Sequence, residues 1–299
     1  MRTIAHISDV HFGRTDPAVV EGLVKDLSER KPTLLVVSGD FTQRARGRQY
    51  AAAAAFLKRL PSPQLVVPGN HDIPMFDIIR RFFFPLSRYR KYITDNLRPA
   101  YQDEELFVLG INTARSFTHK SGWISEEQLL DVKLRICPLP PNVFKVVVTH
   151  HPFIPPPRDP GADVIRRGVE YVDELEDCGV DLLLAGHLHL AYHDDLRSHY
   201  KSAKRSILSV QAGTATSTRR RGEPNAYNWI TLSPGPQGLC TVAVRAWNAK
   251  RGCFEESLVT RYNRVDGQWA REQQVPVSEL AEKTLVEHPP EAVPPKQGF

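Results

Sequence analysis

The sequence contains no uninterrupted apolar run that approaches the roughly 20 residues of a membrane-spanning helix. It also begins without the apolar stretch and small-residue cleavage site of a secretory signal. Cysteine is scarce, and no two of the four cysteines form a Cys-x-x-Cys pair: Cys137, Cys178, Cys240 and Cys253. These absences predict a cytoplasmic protein whose cysteines are reduced thiols.

A strong charge of one sign is missing as well. The net charge of +5 comes from 39 basic and 34 acidic residues that are spread along the 299-residue chain. This modest balance suits a small anionic ligand but lacks the basic stripe of a nucleic-acid-binding protein. We expect one domain over residues 1–272, followed by a Pro-, Glu- and Val-rich flexible tail at 273–299.

Short apolar, β-branched runs alternate with segments of helical periodicity, which predicts a layered α/β core. Strands are predicted at 3–8, 33–38, 64–68, 105–112, 144–149 and 180–185, and helices at 17–30, 47–60 and 126–136. Shorter strands over 202–262 predict a second sheet that packs on the first. The expected fold is therefore an α/β protein built as a layered β-sandwich flanked by helices.

Residues 74–99 interleave phenylalanine with arginine and look like an inserted amphipathic element. One interpretation is a cap that grips an apolar substrate, and another is a patch that touches an anionic membrane surface from the cytoplasm. The third is an ordinary helix that covers the core, with its arginines in water. The sequence leaves the three open.

Polar residues that are able to bind a metal follow the ends of five predicted strands. Open α/β sheets place their ligand sites at such carboxyl ends, so these residues predict one mixed oxygen and imidazole site. They are Asp9-x-His11, Gly39-Asp40, Gly69-Asn70-His71-Asp72, His150-His151 and Gly186-His187-x-His189. The glycines are expected to let the backbone turn sharply as it leaves each strand.

With these five motifs in this order, the sequence resembles the calcineurin-like metallophosphoesterase family over roughly residues 1–215. The resemblance implies one metal held by Asp9, His11, Asp40 and His189. It implies a second metal held by Asp40, Asn70, His150 and His187. In this assignment Asp40 bridges the metals, and His151 is left outside the ligand set.

The donor set favours two divalent or trivalent ions, with manganese or iron expected first and zinc or cobalt as alternatives. Two such ions activate water for attack on phosphorus. His71, which is not needed as a ligand, is expected to stabilise or protonate the leaving group. Asp72 either orients His71 or accepts backbone hydrogen bonds locally.

Three sets of arginines lie near the motifs. Arg44 and Arg115 occupy loops at the expected catalytic edge and are predicted to contact substrate phosphate, with a solvated loop charge as the alternative. The run Arg219-Arg220-Arg221 follows a Ser/Thr-rich turn and is predicted to be solvated, with contact to an anionic headgroup or to nucleic acid as the alternative.

The preferred function is a two-metal hydrolase of a phosphodiester, of the cyclic-nucleotide or glycerophosphodiester kind. The alternative is a lipid-linked pyrophosphate hydrolase of the UDP-2,3-diacylglucosamine type, because that branch uses these motifs with an inserted lid. A nuclease and a non-catalytic scaffold rank lower, because the basic stripe is missing and the ligand set is complete. The sequence does not predict an oligomeric state.

Overall fold

The structure, a computed structural model, describes residues 1–118, 120–233, 235 and 238–276. Its helices are α1 Pro17–Arg30, α2 Gly47–Leu57, α3 Ile78–Phe83, α4 Ser87–Tyr92, α5 Glu126–Ile136 and α6 Gly168–Asp177, with 3-10 turns at Asn70–Asp72 and Leu196–Ser198. Its strands are β1 Arg2–Ile7, β2 Leu34–Val37, β3 Gln64–Val66, β4 Ala100–Gln102, β5 Leu106–Gly110, β6 Phe144–Val148, β7 Leu182–Ala185, β8 Tyr192–Asp195, β9 Leu208–Gln211, β10 Ala226–Ser233, β11 Leu239–Asn248, β12 Cys253–Val265 and β13 Gln268–Pro276.

The strands form two sheets that pack face to face. One has the order β13-β12-β11-β10-β1-β2-β3, and the other has the order β4-β5-β6-β7-β9-β8. Successive side chains of a strand point to opposite faces. Ile4 accordingly packs between the sheets, while its neighbour Ala5 packs in the cluster under α1 and α2. Helices α5 and α6 cover the other sheet through residues such as Val132 and Leu175. The predicted helix-flanked sandwich is confirmed.

Two helices begin where local capping chemistry predicts. The Asp16 side chain accepts a hydrogen bond from the Ala18 amide just before α1, and Pro17 occupies the first helical position. At α5, Ser125 and Gln128 form a capping box, in which the Ser125 amide donates to Oε1 of Gln128 at 3.0 Å. Both helices start within one residue of their predicted bounds.

Two packed sheets are present as predicted, but residues 202–262 do not make up the second one, because they are divided between both sheets. Strand β9 joins the sheet of β6 and β7, whereas β10, β11 and β12 extend the sheet that begins with β1. Strand β1 pairs with β2 in parallel and with β10 in antiparallel orientation. The predicted tail at 273–299 also begins too early, because β13 continues to Pro276, and the rest of that segment lies outside the described residues.

The prediction of four reduced thiols is wrong for two of the cysteines. Cys137 and Cys178 form a disulfide, while Cys240 and Cys253 are free. The bonded pair caps the carboxyl ends of α5 and α6. Because these helices lie side by side on one sheet, residues separated by 41 positions in the chain meet there.

Residues 74–99 divide into two unlike halves. Helix α4 packs into the core through Tyr89, which is fully buried. Helix α3 has no buried residue, and Ile78, Ile79 and Phe83 are each more than 65% exposed. The interpretation as a core-covering helix therefore applies to α4 and not to α3.

Parallel strands bring the motif loops to one end of the sandwich. Strands β1, β2 and β3 are parallel in one sheet, and β5, β6, β7 and β9 are parallel in the other. The loops that follow β1, β2, β3, β6 and β7 carry the five motifs. None of the helices in the described part of the chain has the length and apolar character to span a membrane.

Candidate metal centre

The motif side chains converge into two adjoining groups. The first consists of Asp9, His11, Asp40 and His189, and the second of His150, His151 and His187. Within each group, one ligand atom from every residue lies within 4.8 Å of the others. Asn70 joins the second group, because its Oδ1 lies 2.9 Å from Nε2 of His150 and 3.1 Å from Nδ1 of His187.

Asp40 stands between the groups and is 1% exposed. Its Oδ2 is 3.5 Å from Nε2 of His11, and its Oδ1 is 3.5 Å from Nε2 of His150. One carboxylate oxygen therefore faces each group. This is the placement that a bridging ligand requires.

In the second group, lone pairs on neighbouring side chains face one another. Nδ1 of His150 is 2.8 Å from the carbonyl oxygen of Ser38, which only accepts, so Nδ1 carries the hydrogen. In the neutral ring, Nε2 then holds a lone pair, and it faces the oxygen of Asn70. Two acceptors at 2.9 Å repel each other unless a cation lies beside them.

The first group has the same character. Nδ1 of His189 donates to the carbonyl oxygen of Arg219 at 2.8 Å, which leaves Nε2 facing Oδ1 of Asp9 at 3.1 Å. In the neutral ring this Nε2 carries a lone pair, so the buried Oδ1 receives no hydrogen from it. A buried carboxylate oxygen without a donor is costly, and a cation removes that cost. The residues of both groups therefore fit bound metal ions.

Burial keeps several of these imidazoles neutral, as metal binding requires. It lowers the pKa of His187 to about 3, with a further contribution from His150. It also lowers the pKa of His11. His189 differs, because the attraction of the Asp9 carboxylate overcomes burial and raises the pKa of His189. The Asp9 carboxylate thus favours the positively charged form of His189.

The backbone at the ligands is unusual. Positive φ angles are uncommon outside glycine, yet they occur in five of the predicted ligands, Asp9, His11, Asp40, His187 and His189. Their values lie between 49° and 72°. Such conformations persist only where the surroundings hold them, and they cluster at functional sites. The fold therefore holds these five predicted ligands in uncommon backbone conformations.

The glycines of the motifs serve a partly different purpose from the predicted one. Gly39 turns the chain with a φ of 100°, as expected. At Gly69, however, a Cβ would lie 2.1 Å from Oδ1 of Asp40, and at Gly186 it would lie 2.5 Å from Oδ2 of Asp9. Neither of these two has a positive φ. A side chain at Gly69 would thus collide with the Asp40 carboxylate, and one at Gly186 would collide first with Oγ of Ser8, at 1.8 Å, and then with the Asp9 carboxylate.

A comparison with known families decides the identity. Residues 2–191 match the model of the family described as calcineurin-like phosphoesterase. The chain belongs to this family. The family resemblance drawn from its motifs is thereby confirmed.

Known relatives and solved structures agree. The chain is 31% identical over 166 residues to the glycerophosphodiester phosphodiesterase GpdQ of Enterobacter lignolyticus, covering 51% of this chain and 57% of that one. It is 25% identical over 144 residues to a probable enzyme of the same name from Arcobacter nitrofigilis, covering 48% and 46%. The chain therefore spans about half the length of the curated relatives it matches.

Two solved structures show the shared fold. A purple acid phosphatase from yellow lupin seeds superposes with a TM-score of 0.60 at 10% identity, covering 92% of this chain and 53% of that one. A dimetal phosphatase from Danio rerio gives 0.58 at 13% identity, covering 90% and 98%.

The hydrogen bonds of Asp72 distinguish between its two predicted roles. Its carboxylate accepts hydrogen bonds from the amides of Phe41, Thr42 and Gly69, so it acts as a local backbone acceptor. The ring of His71 is oriented instead by Gln43, whose carbonyl oxygen accepts from Nδ1 at 2.9 Å. The orienting role predicted for Asp72 is therefore wrong.

The two arginines predicted to contact substrate phosphate lie in different places. Arg44 lines the cleft above the two groups, as expected. Arg115 does not, because its guanidinium donates to the carbonyl oxygens of Asn112 and Ala114 and to the side chain of Gln128. That prediction is wrong, because the backbone of its own loop holds the side chain away from the cleft. Burial lowers the pKa of Arg115.

Two candidate functional residues, Arg219 and His151, were not among the predicted site residues. Arg219, predicted to be solvated, lies with Nη1 3.1 Å from Nε2 of His71, a contact across 148 residues of sequence. In the sequence, its place in a basic run supported contact with an anionic group only as the less favoured interpretation. His151 was set aside, but it lies in the second group, and its buried Nε2 has no hydrogen-bond partner among the described atoms.

The cleft above the metal groups has a volume of about 730 Å³. Arginine and lysine side chains dominate its charged rim, alongside two carboxylates. The charged residues of the rim are Arg14, Arg44, Arg81, Lys120, Asp159, Asp163, Arg219 and Arg221. This surface suits an anionic substrate.

Proposed function

We propose that the protein hydrolyses a phosphodiester with two metal ions. Asp9, His11, Asp40 and His189 would hold one ion, and Asp40, Asn70, His150 and His187 would hold the other. The observation that carries this assignment is the position of Asp40, with one oxygen toward each group. Bound ions would supply Lewis-acid activation of water and of the phosphoryl oxygens.

The diester class is supported by the relatives, which are named for glycerophosphodiester hydrolysis. A glycerophosphodiester is therefore the first substrate to test, and a cyclic nucleotide is the second. The carboxylate, amide and imidazole donors suit manganese or iron, with zinc and cobalt as alternatives.

His71 and Arg219 act on the leaving group in this proposal. Because Nδ1 of His71 donates to Gln43, its Nε2 is left to face the cleft, where it accepts from Arg219. An incoming phosphate would draw the guanidinium to its oxygens, since an arginine prefers an anionic acceptor. In its protonated form, His71 would then donate the proton on Nε2 to the leaving-group oxygen and return to the neutral ring.

A substrate panel with manganese tests the function. The panel compares glycerophosphodiesters, cyclic nucleotides, nucleotide-sugar lipids and aryl phosphate mono- and diesters, using Asp40→Ala as the inactive control. We expect diesters to exceed monoesters in kcat/KM. A clear preference for monoesters, or turnover that survives in Asp40→Ala, would contradict the proposal.

A lipid-linked substrate is the second candidate, and helix α3 favours it. Phe76, Phe83 and Phe84 are 72%, 74% and 61% exposed. Met75 and Arg81, from the same segment, line the cleft. Contiguous exposed apolar surface of this kind marks interaction sites, and here it borders the metal groups. An acyl chain on α3 would leave the phosphate over the cleft.

A further inference from the structure

A second pocket of about 360 Å³ adjoins the catalytic cleft. The two cavities share Arg14, Gln43 and Arg44 in their walls. Beyond these, the second pocket is lined by Arg46 and Arg48 and by three uncharged residues, Gly13, Gln49 and Ala52. Four arginines and no carboxylate thus surround one small cavity beside the metal groups.

The four arginines are exposed, and no carboxylate in the described part of the chain neutralises their charges. Within the described residues, none of Arg14, Arg44, Arg46 and Arg48 has an ion-pair partner. Arg59, just beyond the other end of α2, differs from them and pairs with Glu21 at 2.5 Å. Four guanidinium groups around one pocket repel one another, so an anion placed among them would be stabilised.

The pocket is held in shape by the backbone beneath it. Oε1 of Gln49 accepts hydrogen bonds from the amides of Arg44 at 3.0 Å and Arg46 at 3.3 Å. The carbonyl oxygen of Ala45 accepts from Nη1 of Arg88 at 2.7 Å. At Gly13, a Cβ would lie 2.1 Å from Nε2 of Gln49, so only glycine leaves this wall open.

Helix geometry adds to the positive field. Helix α2 begins at Gly47, between the two arginines that line only this pocket, Arg46 and Arg48. The first amides of an α-helix lack partners within the helix and carry partial positive charge. An anion in the pocket would face this helix end as well as the guanidinium groups.

We infer that this pocket binds a second phosphate group of the substrate. The substrate would be a small phosphodiester that carries an additional phosphate, with its diester over the metal groups and its other phosphate among the four arginines. A phosphate is favoured over a carboxylate because it offers more acceptor oxygens to several arginine forks at once. This inference rests on the proposed function for the position of the diester.

Matched chromogenic substrates test the inference. Thymidine 5′-(p-nitrophenyl phosphate) and its 3′-phosphorylated counterpart release the same leaving group and differ only in the second phosphate. We expect the wild type to show a KM about tenfold lower for the phosphorylated ester, as expected for charge-assisted phosphate contacts. The Arg46→Ala, Arg48→Ala double variant should lose that preference and keep its rate on the plain ester.

A second double variant controls for net charge. Lys58→Ala with Arg59→Ala also removes two positive charges, just beyond the other end of α2, and should behave like the wild type. No preference in the wild type would overturn the inference. So would an equal loss on both esters in the Arg46 and Arg48 variant, because that result would indicate a general defect.

A binding measurement separates this inference from the proposed function. If neither ester is hydrolysed, the proposed diesterase activity fails, but the pocket is still tested by calorimetry with thymidine 3′,5′-bisphosphate and thymidine 5′-monophosphate. The wild type should bind the bisphosphate about tenfold more tightly than the monophosphate. The Arg46→Ala, Arg48→Ala variant should bind the two nucleotides equally. Equal binding of the two nucleotides would overturn the inference. An oligothymidine that competes better than the bisphosphate would assign the pocket to nucleic acid and overturn the small-molecule assignment.

Discussion

Replacement of Asp40 by asparagine should remove the two proposed metals unequally. Oδ1 of Asp40 accepts a hydrogen bond from the His71 amide at 2.9 Å, and the same oxygen faces His150. In the Asp40→Asn variant, the side-chain amide oxygen would therefore take that position, because only an acceptor suits the His71 amide. The NH₂ group would replace Oδ2 and point at Nε2 of His11, which lies 3.5 Å away in the wild type.

The ion of the first group thus loses an anionic ligand and faces a donor, whereas the ion of the second group keeps a neutral oxygen. A lost charged contact in a buried site costs about 3 kcal/mol, or about a hundredfold in the dissociation constant. Dialysis against graded manganese concentrations with elemental analysis would measure both affinities. We expect one ion at low manganese in Asp40→Asn and a deficit of both in Asp40→Ala. Equal affinity for two ions in Asp40→Asn would refute the bridging assignment.

Three further predictions concern His71, helix α3 and His193. His71→Ala should keep its metals but lose about a hundredfold in kcat for alkyl leaving groups and less for p-nitrophenol; equal losses would contradict an acid role. Phe83→Ser with Phe84→Ser should raise KM for an acylated substrate while Tm and turnover of a small aryl diester stay unchanged, because both rings are exposed; a parallel fall in activity and Tm would reject the cap. Burial lowers the pKa of His193 from 6.5 to about 4, so the unfolded chain binds its proton first as the pH falls. The free energy of unfolding should therefore decline by about 3 kcal/mol as the pH falls from 6.5 to 4, and urea unfolding should show a smaller decline for His193→Gln. An identical decline in the two proteins would contradict this assignment.

The motif residues were predictable because their geometry is local. Each of Asp9, Asp40 and His187 follows a buried apolar strand, and parallel strands end at the same edge of a sheet. The start of α5 was predictable for a similar reason, since its capping box lies within four consecutive residues. In both cases, neighbours in the sequence determine where the side chain goes.

The failures concern contacts between distant segments. An apolar run shows that a strand is buried but not which strand it pairs with, so β10 could not be assigned to the sheet of β1. The contact of Arg219 with His71 and the disulfide between Cys137 and Cys178 depend on the finished packing of loops and helices. The role of Asp72 depended on which amides surround its carboxylate, and spacing alone does not contain that information.

The pairing of β1 with β10 affects the order in which the protein matures during synthesis. The family match ends at residue 191, and every proposed metal ligand precedes that point. The loop that holds Asp9 is nevertheless tied down later, because the hydroxyl of Thr214 donates to the Asp9 carbonyl oxygen and the amide of Ala215 donates to that of Ser8. Until β10 emerges from the ribosome, β1 has an open edge that invites mispairing with other strands. We therefore expect a nascent chain halted near residue 191 to contain all the ligands and still need chaperone protection before it can capture metal.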